Sequence, residues 1–127
     1  MTRILFLDDD PHVRGAIAES LREEGFEVVE VADDEAAMRE LGLRAFDLAL
    51  LDYVIPGARG DAIARRIEAE WPALPIALMT GYADFPALTG KGEGLPVIAK
   101  PISHEALVAS VRAAMTGSPS PDGEPGT

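Results

Sequence analysis

The hydrophobic positions of the chain fall into five short apolar runs separated by longer amphipathic stretches. The runs are rich in Val, Ile and Leu and cover residues 3–7, 28–32, 48–51, 76–79 and 97–99. Runs of this length and composition are typical of parallel strands that are buried on both faces. Five such strands alternating with helices predict a doubly wound α/β domain with an open parallel sheet.

The amphipathic stretches between the runs predict helices with recognisable ends. Asp10 is placed to cap the first helix and Gly25 to end it, while Asp33 or Asp34 opens the second and Ser103 caps the last. The apolar residues at helical spacing are Val13, Ile17 and Leu21 in the first helix, Ala37, Met38 and Leu41 in the second, Ile63, Ile67 and Trp71 in the third, and Leu107, Val108, Val111 and Met115 in the last.

Two stretches are poor in structure-forming residues. Residues 83–94 contain a proline and three glycines, which are unfavourable inside a helix, so we expect a fourth helix of one or two turns at most. Residues 117–127 read GSPSPDGEPGT, a composition that predicts disorder. We therefore expect one domain over residues 1–116 followed by a disordered tail over residues 117–127.

Composition and charge argue against several classes of function. The formal net charge is −11 and the Lys and Arg residues are scattered, which argues against nucleic-acid binding. Cysteine is absent, so disulfides and thiolate metal sites are excluded. No apolar run approaches the roughly 18 residues of a membrane-spanning helix, and the start MTRILFLDDD becomes acidic too soon for a signal peptide. We expect a cytoplasmic protein that binds neither nucleic acid nor membrane.

Polar residues follow the predicted strands at the edge of the sheet where α/β domains bind ligands. The first strand ends at Asp8, Asp9 and Asp10, and the third ends at Asp52. The fourth strand ends at Thr80 and the fifth at Lys100. Crowded carboxylates repel one another unless a cation neutralises them. Oxygen ligands without cysteine or a nearby histidine favour Mg²⁺, with Mn²⁺ as an alternative. Asp10 is explained as a helix cap, but capping does not account for Asp8 and Asp9.

The same set of residues has the chemistry for phosphoryl transfer to a carboxylate. Asp52 can act as the nucleophile toward phosphorus and form an aspartyl-phosphate. Charge on the phosphoryl oxygens can be neutralised by the metal ion, by the Lys100 ammonium group and by a hydrogen bond from the Thr80 hydroxyl.

Four motifs, ILFLDDDP, LALLDYVIPGARG, ALMTGYA and IAKP, together resemble the receiver domain of two-component response regulators over about residues 3–115. The resemblance implies a flavodoxin-like fold with a five-stranded parallel sheet in the order 2-1-3-4-5. The site residues that it implies are Asp52 as phosphoacceptor, Thr80 and Lys100 beside it, and Asp8, Asp9, Asp52 and the backbone carbonyl of Val54 as ligands of Mg²⁺. It further implies a switch that is no conventional enzyme, although its phosphotransfer and autodephosphorylation are self-catalysed. The implied partners are a sensor histidine kinase or a histidine phosphotransfer protein and an unknown downstream protein.

The sequence departs from the family pattern in the parts that read out phosphorylation. Val97 stands where the family usually has an aromatic residue that moves with the switch threonine, and a Val side chain cannot swing a ring between inside and outside. Together with the glycine-rich stretch 83–94, this predicts a non-standard readout. The chain is either a free single-domain regulator, which its start at Met1 favours, or a receiver excised from a larger protein such as a hybrid kinase.

Two other functions use similar residues. A haloacid-dehalogenase-type phosphohydrolase also has an aspartate nucleophile, but Pro11-His12 replaces the Gly-Thr expected after its opening motif and no late acidic pair follows Lys100. A phosphorylation-independent interaction module on the same fold is the third possibility, although such modules usually lack one of the acids or the lysine. We expect His12 to be a solvated residue at the rim of the site and His104 to lie at the surface.

Overall fold

The structure is a computed structural model that describes residues 2–52, 54–55, 58–81, 97–100 and 103–116. The short fourth helix expected in residues 83–94 and the disordered tail expected in residues 117–127 lie outside the described residues. The described elements are β1 Arg3–Leu7, α1 Pro11–Glu23, β2 Glu27–Val31, α2 Asp34–Leu43, β3 Leu48–Asp52, β4 Val54–Ile55, β5 Ala58–Arg59, α3 Gly60–Glu70, β6 Ile76–Gly81, β7 Val97–Lys100 and α4 His104–Thr116.

Five of these strands form a single parallel sheet in the order β2-β1-β3-β6-β7. They are the five strands predicted from the apolar runs, and their spatial order is the 2-1-3-4-5 order of the flavodoxin-like fold, so the expected fold is confirmed. The remaining strands, β4 and β5, form a separate two-stranded antiparallel ribbon in which Val54 pairs with Arg59. This ribbon was not predicted, because strands of two residues leave no periodic pattern in a sequence.

Side-chain caps fix the helix ends close to where the sequence placed them. The Asp10 carboxylate accepts hydrogen bonds from the backbone N–H groups of His12 and Val13 at 2.9 and 3.3 Å, which caps α1. Gly25, with φ of +96°, turns the chain after α1 in a conformation that residues with a side chain rarely adopt. Between the two candidate caps of α2, the structure selects Asp33.

The sheet separates two hydrophobic layers because alternate residues of each strand face opposite sides. On the side of α1 and α4, Phe6, Leu50 and Met79 pack with residues of both helices, including Leu21 and Val111. On the side of α2 and α3, the alternate residues Leu7, Leu51 and Leu78 pack with Leu41 and Ile67. All ten side chains are buried, which explains why these strands read as continuous apolar runs. Among the described residues, no helix is both long and apolar enough to cross a membrane.

Candidate metal site at the carboxyl edge of the sheet

The strand register brings the ends of β1 and β3 to the same level of the sheet. Leu7 pairs with Leu51, so the residues that follow them, Asp8 and Asp52, lie side by side at the ends of β1 and β3. Asp52 in turn lies opposite Met79 of β6, and Thr80 is one residue further along that strand. The register therefore gathers these polar residues at one edge of the sheet, as the sequence predicted.

Three carboxylates converge at this edge. Asp8, Asp9 and Asp52 each offer an oxygen, and the three oxygens lie within 4.8 Å of one another. Asp8 is completely buried, Asp52 is 7% exposed and Asp9 is exposed to solvent. Two buried carboxylates this close raise each other's free energy when both are charged, because little water screens their repulsion.

This set of donors fits a divalent metal ion with a preference for oxygen. Mg²⁺ binds its ligands at about 2.0–2.1 Å, so two oxygens on one ion lie at most about 4.2 Å apart. The observed spacing of Asp8, Asp9 and Asp52 is close to that requirement. The exposed Asp9 also leaves one side of the cluster open to solvent, as expected for an ion that retains several waters.

Local hydrogen bonds fix the loop that carries the first two acids. The backbone N–H of Asp10 donates to the Oδ1 atom of Asp8 at 2.9 Å, and the N–H of Asp8 donates to the carbonyl of Val31 at 3.2 Å. Since Asp10 also caps α1, the residues 8–10 are tied to β2 on one side and to the helix on the other. The predicted capping role of Asp10 is confirmed. The hydrogen bond from its backbone N–H to Asp8 was not predicted from the sequence.

Arg14 contacts this loop from the first turns of α1, and sequence reasoning did not find it. Its Nη1 atom donates to the carbonyl oxygen of Asp8 at 2.8 Å, while its Nε atom donates to Glu30 of β2 at 3.2 Å. The one available signal was its position four residues after the capping Asp10, which puts both on the same face of the helix. A sequence offers many such pairs, so this signal does not single out Arg14.

Two other predicted site residues, Thr80 and Lys100, belong to strands of the same parallel sheet, and a third, Val54, belongs to the β4–β5 ribbon. Thr80 is completely buried near the end of β6. Lys100 is the last residue of β7, where its backbone is paired with Gly81, and its side chain lies outside the described residues. Val54 begins the β4–β5 ribbon two residues after Asp52. Their roles in the site stay predictions and are addressed below as proposals.

The two histidines differ in their exposure and in their contacts. His12 is exposed in the first turn of α1, as expected. His104 lies at the surface, as expected, with its side chain 37% exposed, and it also contacts the end of α1: its Nδ1 atom shares a hydrogen bond of 2.6 Å with the Ser20 hydroxyl, and its Nε2 atom lies 3.4 Å from Glu24. Neither histidine joins the carboxylate cluster among the described residues.

Residues 4–112 match the sequence model of the response regulator receiver domain, so the chain belongs to that family. Receiver domains are signalling modules of two-component systems rather than conventional enzymes, and they bind Mg²⁺ at an acidic site, with which the cluster of Asp8, Asp9 and Asp52 is compatible. The sensory transduction protein RegX3 of Mycobacterium tuberculosis is 30% identical over 117 residues. The match covers 91% of this chain and 51% of RegX3, so the chain spans about half the length of the curated relatives it matches.

Solved receiver structures share the fold over nearly the whole chain. The response regulator TrrA of Thermotoga maritima, in complex with Mg²⁺ and BeF, is 28% identical with a TM-score of 0.80, and the match covers 90% of this chain and 99% of TrrA. The receiver domain of NtrX from Brucella abortus is 27% identical with a TM-score of 0.84 and coverages of 91% and 99%. A putative response regulator from Chloroflexus aurantiacus is 28% identical with a TM-score of 0.83 and coverages of 91% and 98%.

Proposed function

We propose that this receiver domain accepts a phosphoryl group on Asp52 from a phosphohistidine of a sensor kinase or of a histidine phosphotransfer protein. The observation that carries the proposal is the cluster of Asp8, Asp9 and Asp52, whose carboxylate oxygens lie within 4.8 Å of one another. TrrA, a structural relative, has been crystallised with Mg²⁺ and BeF. Asp8, Asp9, Asp52 and the carbonyl of Val54 would hold Mg²⁺, which supplies positive charge to the phosphoryl oxygens when it is bound.

The proposed transfer makes one bond and breaks one bond. A carboxylate oxygen of Asp52 attacks phosphorus, the P–N bond to the donor imidazole breaks, and the leaving imidazole takes up a proton. The product is an acyl phosphate on Asp52. The Thr80 hydroxyl would donate a hydrogen bond to one phosphoryl oxygen and the Lys100 ammonium group would pair with another. Water attacking the same phosphorus would release phosphate, which is the autodephosphorylation expected of such a switch.

Burial suits Asp52 to this role. The side chain is 7% exposed, so a small donor group can reach one oxygen while little water competes for the acyl phosphate. Asp9, which is exposed, lacks this protection and suits a metal ligand better than a phosphoacceptor. This difference in exposure supports different roles for the two carboxylates.

Acetyl phosphate provides the test, because it replaces the unidentified protein donor. With Mg²⁺ present, we expect the intact mass to increase by one phosphoryl group, and the Asp52→Asn variant to show no increase. Asp47→Asn is the matched control: Asp47 precedes the same strand β3, is exposed, and accepts a hydrogen bond from the backbone of Arg3 that asparagine can also accept. It should label like the wild type.

The same experiment separates the rival functions. A phosphohydrolase would release many equivalents of phosphate per chain and would depend on Asp8 as its nucleophile rather than on Asp52. A phosphorylation-independent module would show no Mg²⁺-dependent labelling with acetyl phosphate or with any kinase. Membership of the receiver family favours the phosphoacceptor over both.

The output of the proposed switch is contact with a downstream protein. The curated relatives are about twice as long as the match, so in such proteins the part outside the match could act as the effector. The proposal places the chain in the cytoplasm, where ATP-dependent kinases act. Co-purification from cells of proteins that bind the wild type but not Asp52→Asn would identify the target, whereas identical partners for both would contradict a phosphorylation-dependent output.

A further inference from the structure

Arg14 connects the acidic loop to the edge strand of the sheet. Its side chain is 19% exposed and lies between the loop 8–10 and Glu30 of β2. One edge of the guanidinium is held by Glu30 through Nε at 3.2 Å, and Nη1 donates to the Asp8 carbonyl at 2.8 Å. We infer that Arg14 is a positioning residue of the metal site, which holds the Asp8–Asp10 loop in the geometry that binds the ion. This inference rests on the proposed function.

The loop is fixed to α1 at both of its ends. The backbone N–H of Arg14 donates to the carbonyl of Asp10 at 2.8 Å, and the side chain of the same residue donates to the carbonyl of Asp8. Asp9, which offers the exposed ligand of the cluster, lies between these two anchored carbonyls. A single residue thus restrains the backbone on either side of Asp9.

Glu30 is itself held in place, so the orientation of Arg14 is well defined. Arg22, two turns further along α1, donates from Nη1 to Glu30 at 2.9 Å and from Nη2 to the carbonyl of Val28 at 2.7 Å. The Glu30 carboxylate therefore accepts hydrogen bonds from two arginines, one on each oxygen. Because the guanidinium group is planar, fixing the Nε edge of Arg14 on Glu30 also fixes the direction in which its Nη1 atom donates.

The restraint matters because the ligands repel one another before the ion arrives. Without a backbone anchor, the loop could relax by moving Asp9 away from Asp8 and Asp52, whose separation is fixed by the strand register, and metal binding would then have to reverse that movement. An arginine on the Asp8 carbonyl opposes the movement without occupying any carboxylate oxygen that the metal needs. Removing outer contacts of this kind typically weakens metal binding by about 10–100-fold.

If Arg14 acted only through its charge, its substitution would strengthen Mg²⁺ binding instead of weakening it. The direction of the change in Mg²⁺ affinity therefore tests the inference. Removing a positive charge close to three carboxylates makes the cluster more negative and strengthens its attraction for a cation. If Arg14 acts only through its charge, the Arg14→Gln variant binds Mg²⁺ more tightly than the wild type. If it positions the loop, the variant binds Mg²⁺ more weakly.

Arg22→Gln is the matched control. Arg22 lies on the same helix and pairs with the same Glu30, but its described hydrogen bonds reach Glu30 and Val28 rather than Asp8. The substitution removes the same charge and leaves the Arg14 contact with Asp8 in place. Arg14→Lys is a second variant: it keeps the charge, but one ammonium group does not reproduce the rigid fork that spans Asp8 and Glu30.

The experiment measures the Mg²⁺ dissociation constant by isothermal titration calorimetry, together with urea unfolding in the absence of metal to confirm that each variant is folded. We expect binding about tenfold weaker for Arg14→Gln and intermediate for Arg14→Lys. For Arg22→Gln we expect a smaller loss than for either Arg14 variant, because Glu30 keeps its direct bond to Arg14 when Arg22 is removed. Amide chemical shifts of Asp9 and Asp10 in metal-free protein should move in Arg14→Gln and move much less in Arg22→Gln. If Arg14→Gln is unfolded, Arg14→Lys carries the test.

Two results overturn the inference while the proposed function stands: unchanged or tighter Mg²⁺ binding in the Arg14 variants, or equal weakening in Arg22→Gln. A wild-type protein that binds no Mg²⁺ overturns both the inference and the proposed metal site. Because the wild type is titrated in the same series, these failures are distinguishable.

Discussion

Asp8 and Asp52 leave neighbouring parallel strands at the same level and place their carboxylates within 4.8 Å of each other, although both side chains are almost completely buried. The register that pairs Leu7 with Leu51 enforces this proximity, so the two groups cannot separate without disturbing the centre of the sheet. A fold that holds like charges together in this way is less stable than it would be with one of them neutralised, unless a cation is present.

Mg²⁺ should therefore stabilise the wild-type domain. Neutralising one of the acids should stabilise the metal-free domain and reduce the stabilisation that Mg²⁺ provides. For the wild type, an ion at 100 times its dissociation constant adds about 2.7 kcal/mol to the free energy of unfolding. Asp8→Asn should be more stable than the wild type without metal, because the repulsion with Asp52 is relieved, and should gain much less from Mg²⁺. Urea unfolding with Mg²⁺ and with EDTA measures both effects. The same Mg²⁺ increment in wild type and variant would contradict this account of the cluster.

Asp10 should contribute to stability as a helix cap. Its carboxylate accepts from the N–H groups of His12 and Val13, and Asp10→Ala leaves both without this partner. We expect a loss of about 0.5–2 kcal/mol in the free energy of unfolding, measured in urea at constant pH. Asp10→Asn keeps a capping oxygen and should retain most of the stability, so an equally large loss in that variant would assign the effect to charge instead.

Two glycines should respond to alanine with opposite signs. Gly15 lies inside α1, and a Cβ built there meets no atom within 4 Å, so Gly15→Ala should stabilise the helix by about 0.5–1 kcal/mol. Gly25 has the same open space, but its φ of +96° is unfavourable for alanine, so Gly25→Ala should destabilise the domain. Thermal unfolding of the two variants side by side checks this. Equal effects in the two variants would mean that backbone conformation does not decide the outcome.

Ser20 and His104 should be energetically coupled, because their hydrogen bond of 2.6 Å joins α1 to α4. A double-mutant cycle with Ser20→Ala and His104→Ala should give a coupling free energy of about 0.5–1.5 kcal/mol. The pair Ser20→Ala and Ser110→Ala serves as the control, since Ser110 also lies on α4 but is not a described partner of Ser20. Additive losses for Ser20 and His104 would show that the contact does not connect the helices.

The sequence was sufficient to predict the sheet and its acidic edge for a physical reason. Strands buried on both faces must be apolar throughout, so the point where Asp8 or Asp52 interrupts a run marks the end of a strand. Once the ends are known, the parallel topology brings them to one edge. Asp10 could be assigned as a cap because capping depends on residues close in sequence.

The contacts that the sequence did not predict depend on how separate elements pack. Arg14 reaches Asp8 and Glu30 because α1 lies across β1 and β2, and spacing along the chain does not determine that distance. His104 contacts Ser20 across 84 positions of the sequence, and no local pattern predicts a contact at that distance along the chain. The choice between Asp33 and Asp34 was also open, because adjacent acids can both cap and tertiary packing decides where α2 begins.

The most direct test of the central claim is to locate the phosphoryl group on the chain. After reaction with acetyl phosphate, reduction with borohydride converts an acyl phosphate into a stable alcohol that tandem mass spectrometry can assign to a residue. We predict that Asp52 is modified, that the modification requires Mg²⁺, and that it disappears in EDTA. Modification at Asp8 or Asp9 instead, or equal modification of Asp52 with and without Mg²⁺, would contradict the proposal that these three carboxylates form one metal-dependent phosphoacceptor site.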